Sequence, residues 1–450
     1  MSDTILKNIL ERDPGENEFH QTIKEFFETI KPVLDRHPEY GRLGVLERIT
    51  EPERVIMFRI PWMDDERKVR VNRGYQVEMN SAIGPFKGGL RFHPSVNLSI
   101  FKFLAFDQVF KNALTTLPMG GAQGGADFEP KGKSDEEVMR FCQSFMSELS
   151  HHIGQDTDIP DGGLGVGARE IGYLFGQYKK QRNEFAGVLT GKGLQWGGSQ
   201  IRLQATGYGV VYFAAEMLAA RNETLEGKHC LVSGSGNVAQ HVAEKIIDLG
   251  GKVMALSDSS GYIYDPEGID KDKLLFVKRL KNIKRGRIGE YIDKYSEAVY
   301  TEADSSLDYN PLWTQKADCV FACAVENEIN EKDASNLISN GIQLICEGAD
   351  MSASPEAVKT FLEGKVLYAP GKAANAGGVA VSGLEMAQNR MLLTWSAEEV
   401  DQRLRSIMKN IHQTCLDVAA DYGESGNYVA GANIAGFVRV VNSMLDQGLV

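Results

Sequence analysis

The chain has 450 residues, of which 42% are hydrophobic and 24% charged, and it carries a formal net charge of -12. This length suits two or three domains of ordinary size, and the composition is that of a globular protein. No apolar run reaches the 18 or so residues that a membrane span needs, no secretory signal opens the chain, and the negative charge argues against nucleic acid or an anionic membrane as a partner.

The first third of the chain predicts a mixed α/β domain. Apolar residues between Glu18 and Leu34 recur at helical spacing and form one buried stripe. Short strands are predicted at 55–58 and 68–71, and residues 75–80 alternate between apolar and polar as in a half-buried strand. Because that strand leads directly into a Gly-Pro pair, Lys87 is expected in a loop at the strand end.

The next segment, from about Leu98 to Leu117, is apolar almost all round and predicts an interior helix. Gln108 and Lys111 are three residues apart and share one face of this helix. A lysine on a buried helix needs a partner or a ligand. Asp107, one turn earlier, could supply an ion pair, so the residues alone leave both interpretations open.

Two glycine-dense stretches, at 118–127 and 158–167, are interpreted as loops. Glycine lets the backbone approach a ligand closely and adopt positive φ. For 118–127 and the upstream stretch 84–91, a pair of glycine-rich surface loops explains the same composition. The residues alone therefore do not decide between ligand-binding loops and surface loops.

From about residue 201 the pattern alternates between strand and helix, which is typical of a parallel α/β sheet. A strand at 228–232 ends at a Gly-Ser-Gly-Asn-Val-Ala turn, residues 234–239, which opens a helix. This turn fits the G-x-G-x-x-G/A pattern, whose glycines permit a tight turn while the helix N-terminus faces a pyrophosphate. The second half therefore predicts a doubly wound, Rossmann-type dinucleotide domain, with further strands at 318–321 and 342–345.

The end of the next strand, 253–256, bears on the choice of dinucleotide. Asp258 lies there, and an acidic residue at that place usually bonds a ribose 2′-hydroxyl and favours NAD. Ser259 and the serine after it could instead donate hydrogen bonds to a 2′-phosphate. Lys284 and Arg285 are further phosphate candidates, although a basic, solvated helix face explains them as well.

Six cysteines lie scattered within apolar runs, which indicates reduced, mostly buried thiols and predicts a cytoplasmic protein. Two of them, at 319 and 323, have no further cysteine or histidine at zinc-binding spacing, so no metal site is predicted. The cysteines are Cys142, Cys230, Cys319, Cys323, Cys346 and Cys415.

Nearly the whole chain, from about 18 to 449, resembles the glutamate dehydrogenases, and most closely the hexameric, NADP-preferring microbial type. Residues 84–92 read GPFKGGLRF where the family has GPYKGGLRF, and residues 118–134 read PMGGAQGGADFEPKGKS where the family has PMGGGKGGxDFDPKGKS. The resemblance implies NADP as cofactor, with NAD as an alternative, a dicarboxylate or amino-acid substrate, and a homohexamer.

The resemblance also implies two α/β domains around a cleft. Residues 1–200, with 425–450 packing back on them, would form a mixed α/β substrate-binding and oligomerisation domain. Residues 201–424 would form the Rossmann-type dinucleotide-binding domain. The last helix, at about 433–445, is expected to fold back onto the first domain.

Motif matching assigns roles to individual positions. Lys87 and Ser382 would meet the side-chain carboxylate of the substrate, Gln108 and Lys111 would meet its α-carboxylate, and Arg202 would lie near the cleft. The expected cofactor contacts are Thr206, Gly234, Ser235, Gly236, Asn237, Val238, Asp258, Ser259, Asn327 and Asn375.

The chain departs from the family at the two positions that carry the chemistry. Gln123 stands where the family has its catalytic lysine, and Gly163 stands where it has the aspartate that shuttles protons. Glutamine can donate a hydrogen bond but carries no charge and cannot titrate. Losing positioned acid–base groups typically costs about 10²–10⁴ in rate each. Ordinary glutamate turnover is therefore expected to be very slow or absent.

Further differences fall in segments that line the family's cleft, whereas the framework motifs are intact. Residues 202–206 read RLQAT for RPEAT, 322–327 read ACAVEN for PCATQN, and 347–352 read EGADMS for EGANMP. We interpret this pattern as a naturally remodelled site. Asp161 or Glu326 is a candidate for a relocated catalytic carboxylate, although a solvated loop aspartate explains Asp161 equally well.

The distance along the chain limits the role of Asp161. In an extended chain, residues two apart lie about 6.5–7 Å from each other. Asp161 would therefore be too far from the family's aspartate position for the same proton transfer unless the Gly162-Gly163 pair refolds the loop.

Three functions remain open. The first is an NADP(H)-dependent oxidoreductase acting on glutamate, 2-oxoglutarate or a related dicarboxylate amino acid or imine. The others are a catalytically silent relative that binds a dicarboxylate or nucleotide, and a non-redox enzyme that reuses the dicarboxylate clamp. The intact dinucleotide turn favours the first, whereas the changes at Val325, Glu326 and Asp350 favour the other two.

Overall fold

The computed structural model describes residues 2–449 and divides into two compact units. The first unit comprises Met1–Arg202, Val379–Asp401 and Asn433–Val450, and the second comprises Leu203–Gly378 and Gln402–Ala432.

The division differs from the sequence-based one at 379–401, which the sequence places in the dinucleotide-binding domain, and at 425–432, which the sequence places with the first domain. Residues 379–401 are tied to the first unit by two polar side chains, which accept hydrogen bonds from Thr190 and Gly191 of that unit. Ser382 accepts a hydrogen bond from Thr190 Oγ1 at 3.2 Å, and Glu385 accepts one from the Gly191 amide at 3.0 Å.

More of the described chain is helical than is in strands, and none of the described helices is long and apolar enough to cross a membrane. The helices are α1 (Ser2–Arg12), α2 (Asn17–Arg36), α3 (Glu39–Arg42), α4 (Val45–Thr50), α5 (Leu98–Leu114), α6 (Asp135–Leu149), α7 (Ala168–Arg182), α8 (Ala205–Ala219), α9 (Asn237–Asp248), α10 (Lys271–Arg279), α11 (Glu331–Ser339), α12 (Pro355–Glu363), α13 (Gly371–Ala374), α14 (Gly377–Met391), α15 (Ala397–Asp421) and α16 (Tyr428–Gln447).

The strands form one sheet in each unit. The strands are β1 (Arg54–Met63), β2 (Val69–Asn80), β3 (Phe86–Phe92), β4 (Gly121–Ala126), β5 (Asp158–Asp161), β6 (His229–Val232), β7 (Lys252–Asp258), β8 (Gly261–Ile269), β9 (Val299–Glu302), β10 (Cys319–Ala322), β11 (Leu344–Glu347) and β12 (Leu367–Ala369).

The first sheet has the order β1-β2-β4-β3-β5, with β3 parallel to both β4 and β5. Two predictions are wrong here, because the glycine-rich segment 121–126 is strand β4 and Lys87 lies inside strand β3 rather than in a loop. The glycines serve close packing: a Cβ added to Gly88 would lie 1.6 Å from the Ala122 carbonyl oxygen. Residues 158–161, also expected in a loop, form β5.

The interior helix α5 covers this sheet, as its all-round apolar pattern predicts, although it ends at Leu114 rather than Leu117. Its Phe106 and Phe110 meet Phe26 of α2 with ring centroids 5.1 and 4.3 Å apart. Phe437 of α16 joins the same cluster, 5.9 Å from Phe26. Helix α16 therefore packs against α2 of the first unit.

The second sheet has the order β12-β11-β10-β6-β7-β8-β9. The pairs from β12 to β7 are parallel, and β8 and β9 add antiparallel strands at one edge. The predicted doubly wound, Rossmann-type sheet is confirmed for its parallel part. All six cysteines are free and buried, as their apolar surroundings predict.

Candidate active site

Three polar side chains of the first unit converge on Asp161, the last residue of β5. Its Oδ2 atom lies 3.1 Å from Lys87 Nζ and 2.9 Å from Arg202 Nη2. The same oxygen accepts a hydrogen bond from Ser382 Oγ at 2.8 Å. Lys87 is wholly buried and Asp161 is 7% exposed. The structure thus brings together three of the residues expected to hold substrate, but around a carboxylate of the chain itself.

The strand register explains how Asp161 reaches this place. Asp161 pairs with Gly89 of β3, two residues after Lys87 on the same strand, so the two side chains leave neighbouring strands on the same face. Gly89 has no side chain to fill the space between them. Ser382 comes from α14, where the Thr190 hydroxyl orients it.

The electrostatics keep the carboxylate ionised. Burial alone would raise the pKa of Asp161, but Lys87, Arg202 and the Ser382 hydroxyl outweigh burial and lower it. Burial lowers the pKa of Lys87 and the attraction of Asp161 opposes that shift. Among the described residues, Lys87 Nζ makes no hydrogen bond of good geometry and Arg202 Nε has no partner. Two cationic groups therefore face one carboxylate, and both still hold N–H groups that do not donate a hydrogen bond of good geometry to the described residues.

Gln123, in the middle of β4, is buried beside this cluster. Its Oε1 atom accepts a hydrogen bond from the Gly89 amide at 3.0 Å. A Cβ placed on Gly89 would lie 3.4 Å from Gln123 Nε2 and 3.5 Å from Asp161 Oδ1. Gln123 can thus present an amide donor to a ligand, but it offers neither a charge nor a proton to exchange.

Gly163 lies in a tight turn that leaves no room for a side chain. Its amide donates to the Val166 carbonyl at 3.1 Å, and the Val166 amide donates back at 3.0 Å. A Cβ on Gly163 would lie 2.7 Å from the Leu90 carbonyl oxygen. An aspartate here would require the backbone to shift.

The two expected α-carboxylate ligands lie on α5. Gln108 Nε2 donates to Asn112 Oδ1 at 2.7 Å, and Asn112 Nδ2 donates to the Lys87 carbonyl at 3.0 Å. Lys111 is buried. Asn112, which ties α5 to β3, was not predicted from the sequence. The sequence feature that could have indicated Asn112 is a polar residue one turn after Gln108 on an otherwise apolar helix.

A second polar group lies beside Lys87 and was not predicted. Gln76 Nε2 donates to Asp158 Oδ2 at 2.6 Å. Burial, followed by the charge of Glu78, raises the pKa of Asp158 to about 8. Unlike Asp161, this carboxyl group has no cation in direct contact among the described residues and is held largely protonated at neutral pH.

The second unit carries the dinucleotide turn. Gly234 adopts a φ of +80°, which favours glycine, and its amide donates to Ser257 Oγ at 2.7 Å. A Cβ on Gly234 would lie 2.9 Å from the Cys323 carbonyl oxygen, whereas Gly236 has open space beside it. Ser235 is buried. Helix α9 begins at Asn237, whose side chain bonds the Leu203 carbonyl at 2.8 Å.

Asp258, at the end of β7, is already fully engaged. Lys281 Nζ and the Ile288 amide donate to its Oδ2 at 2.7 and 2.8 Å, and the Ser260 amide and hydroxyl donate to Oδ1 at 2.9 and 2.6 Å. Burial would raise the pKa of Asp258, but these bonds outweigh it and lower the pKa to about 2.

Two basic residues beside this carboxylate were missed by the sequence analysis. Lys281 binds Asp258, and Arg287 Nη1 donates to Ser259 Oγ at 2.8 Å. The proposed Lys284 and Arg285 are exposed, and Arg285 has a φ of +56° directly after the short helical turn Leu280–Lys284. The available signal was the basic run 278–287, but only the tertiary fold shows which of its residues turn towards β7.

The other expected cofactor positions are spread over the second unit. Val238 lies in the first turn of α9. Thr206 lies in the first turn of α8, and a Cβ on Gly378 would come within 2.4 Å of its hydroxyl. Asn375 Nδ2 donates to Asp350 Oδ1 at 2.8 Å. Asn327 has an exposed side chain and a φ of +53°, and the neighbouring Glu326 is also exposed.

Comparison with known proteins finds the same family over both units. Residues 197–448 match the Glutamate/Leucine/Phenylalanine/Valine dehydrogenase family, and residues 52–180 match the Glu/Leu/Phe/Val dehydrogenase dimerisation domain. The glutamate dehydrogenase of Bacteroides thetaiotaomicron is 54% identical over 446 residues, which cover 99% of each chain. The NADP-specific glutamate dehydrogenase of Escherichia coli is 51% identical over 448 residues, covering 100% of this chain and 98% of its own. The solved structure of Plasmodium falciparum glutamate dehydrogenase 2 is similar with a TM-score of 0.94 and 51% identity, over 99% of this chain and 96% of its own.

Proposed function

The chain belongs to the glutamate/leucine/phenylalanine/valine dehydrogenase family, and from that premise we propose an NADP(H)-dependent oxidoreductase of glutamate dehydrogenase type whose remodelled site turns over glutamate slowly. The observation that carries the proposal is a contrast between the two units. The dinucleotide turn at Gly234 is complete, whereas Gln123 and Gly163 supply no ionisable group where the family has its lysine and aspartate.

The residues around the turn fit a dinucleotide. The open space beside Gly236 and the N-terminus of α9 suit a pyrophosphate, because unpaired helix amides favour an anion there. When bound, the nicotinamide supplies the hydride for the redox step. The chain's own task in this unit is to hold and orient the dinucleotide.

The surroundings of Asp258 support NADP over NAD. A free carboxylate at this place would accept hydrogen bonds from ribose hydroxyls and repel a 2′-phosphate. Here its oxygens already accept bonds from Lys281, Ser260 and the Ile288 amide. Ser259 and Arg287 lie beside it and could donate to a 2′-phosphate. NAD remains the alternative cofactor.

The expected substrate ligands support a carboxylate-bearing amino or oxo acid. Lys87, Arg202 and Ser382 gather at one place, and Gln108 and Lys111 lie on the helix that is tied to Lys87 through Asn112. We extend the proposal to a homohexamer, which the resemblance to the hexameric type and the matched dimerisation domain support.

The second candidate is a catalytically silent relative that binds a nucleotide. It is favoured by the tight turn at Gly163, where the Cβ of a side chain would collide with the Leu90 carbonyl. Asp161 does not replace that carboxylate as a proton shuttle, since its lowered pKa keeps it ionised in its ion pairs at neutral pH.

Fluorescence titration with NADPH and NADH, followed by hydride transfer to a panel of 2-oxo acids with ammonium, separates the candidates. The proposal expects saturable NADPH binding, weaker NADH binding and measurable NADPH oxidation with at least one 2-oxo acid. Saturable binding without oxidation of NADPH by any of them would favour the silent relative. Absence of binding by either nucleotide would refute both.

A further inference from the structure

We propose that the carboxylate of Asp161 permanently fills an anion subsite formed by Lys87, Arg202 and Ser382, so that the pocket accepts an amino or oxo acid with one carboxylate and a side chain ending in a carboxamide. This inference rests on the proposed function, because it assigns the substrate class of the same site. It adds a specificity-determining role for Asp161.

The position of Asp161 is fixed by the backbone. Its strand pairs in register with β3, and Asp161 stands opposite Gly89. The cationic and hydroxyl groups of Lys87, Arg202 and Ser382 all reach the same oxygen, Oδ2. A ligand carboxylate that used these three groups would have to occupy the place of that oxygen. Asp161 therefore competes with any ligand carboxylate for this place, and it does so without having to bind from solution.

A distal carboxylate would lie beside a like charge. Lys87 and Arg202 bring two positive charges and Asp161 brings one negative charge, which leaves one positive charge in the cluster. Gln123 adds none. A distal carboxylate would share that one positive charge with Asp161 and be repelled by the Asp161 carboxylate, whereas an uncharged distal group is not repelled.

The space beside Gly89 points to the chemistry of the distal group. The Asp161 oxygen that the three donors leave unused, Oδ1, lies 3.5 Å from the point where a Gly89 Cβ would stand. Gln123 Nε2, a donor, lies 3.4 Å from the same point, and its Oε1 is held by the Gly89 amide. An acceptor and a donor thus face one small volume. A carboxamide offers the complementary donor and acceptor, whereas a carboxylate offers no proton to Asp161.

The test is isothermal titration of the NADPH-bound protein with L-glutamine and L-glutamate, which differ only in the distal amide or carboxylate. We expect the wild type to bind glutamine at least about 10-fold more tightly, because a site built around hydrogen bonds rejects the analogue that cannot make them. We expect Asp161→Ala to reverse this preference. The matched control is Asp156→Ala, which removes an equally charged but exposed aspartate of the same region and should leave the preference unchanged.

Each outcome decides the inference. A wild type that prefers glutamate or binds neither ligand overturns it, as does a preference that Asp161→Ala leaves unchanged. Where Asp161→Ala does not fold, the isosteric Asp161→Asn replaces it, with the same expected loss of the glutamine preference. NADPH binding is measured first in every variant. Its failure in the wild type refutes the proposed function, whereas NADPH binding with the wrong ligand preference refutes only this inference.

Discussion

A double-mutant cycle on Lys87 and Asp161 tests whether the buried cluster exists in solution. Removing one partner of a buried ion pair typically costs about 3–5 kcal/mol, because the other charge is left uncompensated. Asp161 keeps Arg202 and Ser382 when Lys87 is replaced, so we expect Lys87→Met to cost less, about 1–3 kcal/mol of the free energy of unfolding.

The cycle compares Lys87→Met, Asp161→Asn and the double variant by urea unfolding at pH 7 and one protein concentration. The double variant leaves neither charge of this pair uncompensated. It should therefore be more stable than the sum of the two single effects predicts, by about 1–3 kcal/mol. Additive effects, within about 0.5 kcal/mol, would show that the two groups do not interact.

Lys192→Met provides a matched comparison. Lys192 and Glu385 form an ion pair at 2.8 Å with both side chains almost completely buried. Without the lysine side chain, the hydrogen bonds that Glu385 keeps within the described part of the chain come from the amides of Gly191 and residue 192. We therefore expect this variant to cost more than Lys87→Met, about 3–5 kcal/mol. The reverse order would contradict the account of how Arg202 and Ser382 support Asp161.

Three further predictions concern other parts of the molecule. Burial raises the pKa of Asp158 to about 8, so as the pH rises Asp158 ionises in the unfolded state before it does in the folded state. The free energy of unfolding should therefore fall between about pH 4 and 8, by up to about 1.4 kcal/mol per pH unit. In urea unfolding, Asp158→Asn should abolish that part of the pH dependence, and an unchanged pH dependence would refute the burial argument. Gly163→Ala should lower stability by about 1–3 kcal/mol, because its Cβ would lie 2.7 Å from the Leu90 carbonyl oxygen. Gly172→Ala, in an open helical position, should raise stability by about 0.5–1 kcal/mol. Equal effects of the two variants in thermal unfolding would contradict the steric argument for Gly163. Arg287 lies beside Ser259, where the 2′-phosphate of NADPH is proposed to bind. Arg287→Gln should therefore weaken NADPH binding by about 10-fold or more and leave NADH binding unchanged. Equal losses for both nucleotides in fluorescence titration would refute the 2′-phosphate assignment.

Much of the fold followed from local patterns. The all-round apolar sequence of α5 predicted an interior helix, and the strand, glycine turn and helix around Gly234 predicted the dinucleotide turn in its correct context. These features depend on residues close together in the chain, which is why the sequence alone could indicate them.

The glycine-rich strands were harder to predict. Glycine is rare in strands, so 121–126 and the segment around Lys87 were assigned to loops. They are strands because neighbouring backbones approach so closely that a Cβ on Gly88 would overlap the Ala122 carbonyl. Only the partner strand reveals that requirement.

The arrangement around Asp161 could not be predicted from the sequence. It needs the β3–β5 register, the placement of α14 behind it, and the path of the chain through Arg202. The sequence indicated only that Asp161 was a carboxylate near a vacant catalytic position. Lys281 and Arg287 were missed for the same reason, since the basic run 278–287 does not show which of its side chains turn towards β7.

The most direct measurement of the central claim is kcat for NADPH oxidation with saturating 2-oxoglutarate and ammonium. It should be made on the wild type and on Gln123→Lys/Asp161→Ala, which carries the residues that the family resemblance implies at these two positions. Gly163 is left unchanged because a Cβ there would lie 2.7 Å from the Leu90 carbonyl oxygen. An ordinary enzyme reaches about 10 per second, and the loss of one positioned acid–base group costs at least about 100-fold. The account predicts a wild-type kcat below about 0.1 per second and a gain of at least about 100-fold in the double variant. A wild-type kcat above that limit, or a double variant that gains nothing, would contradict it.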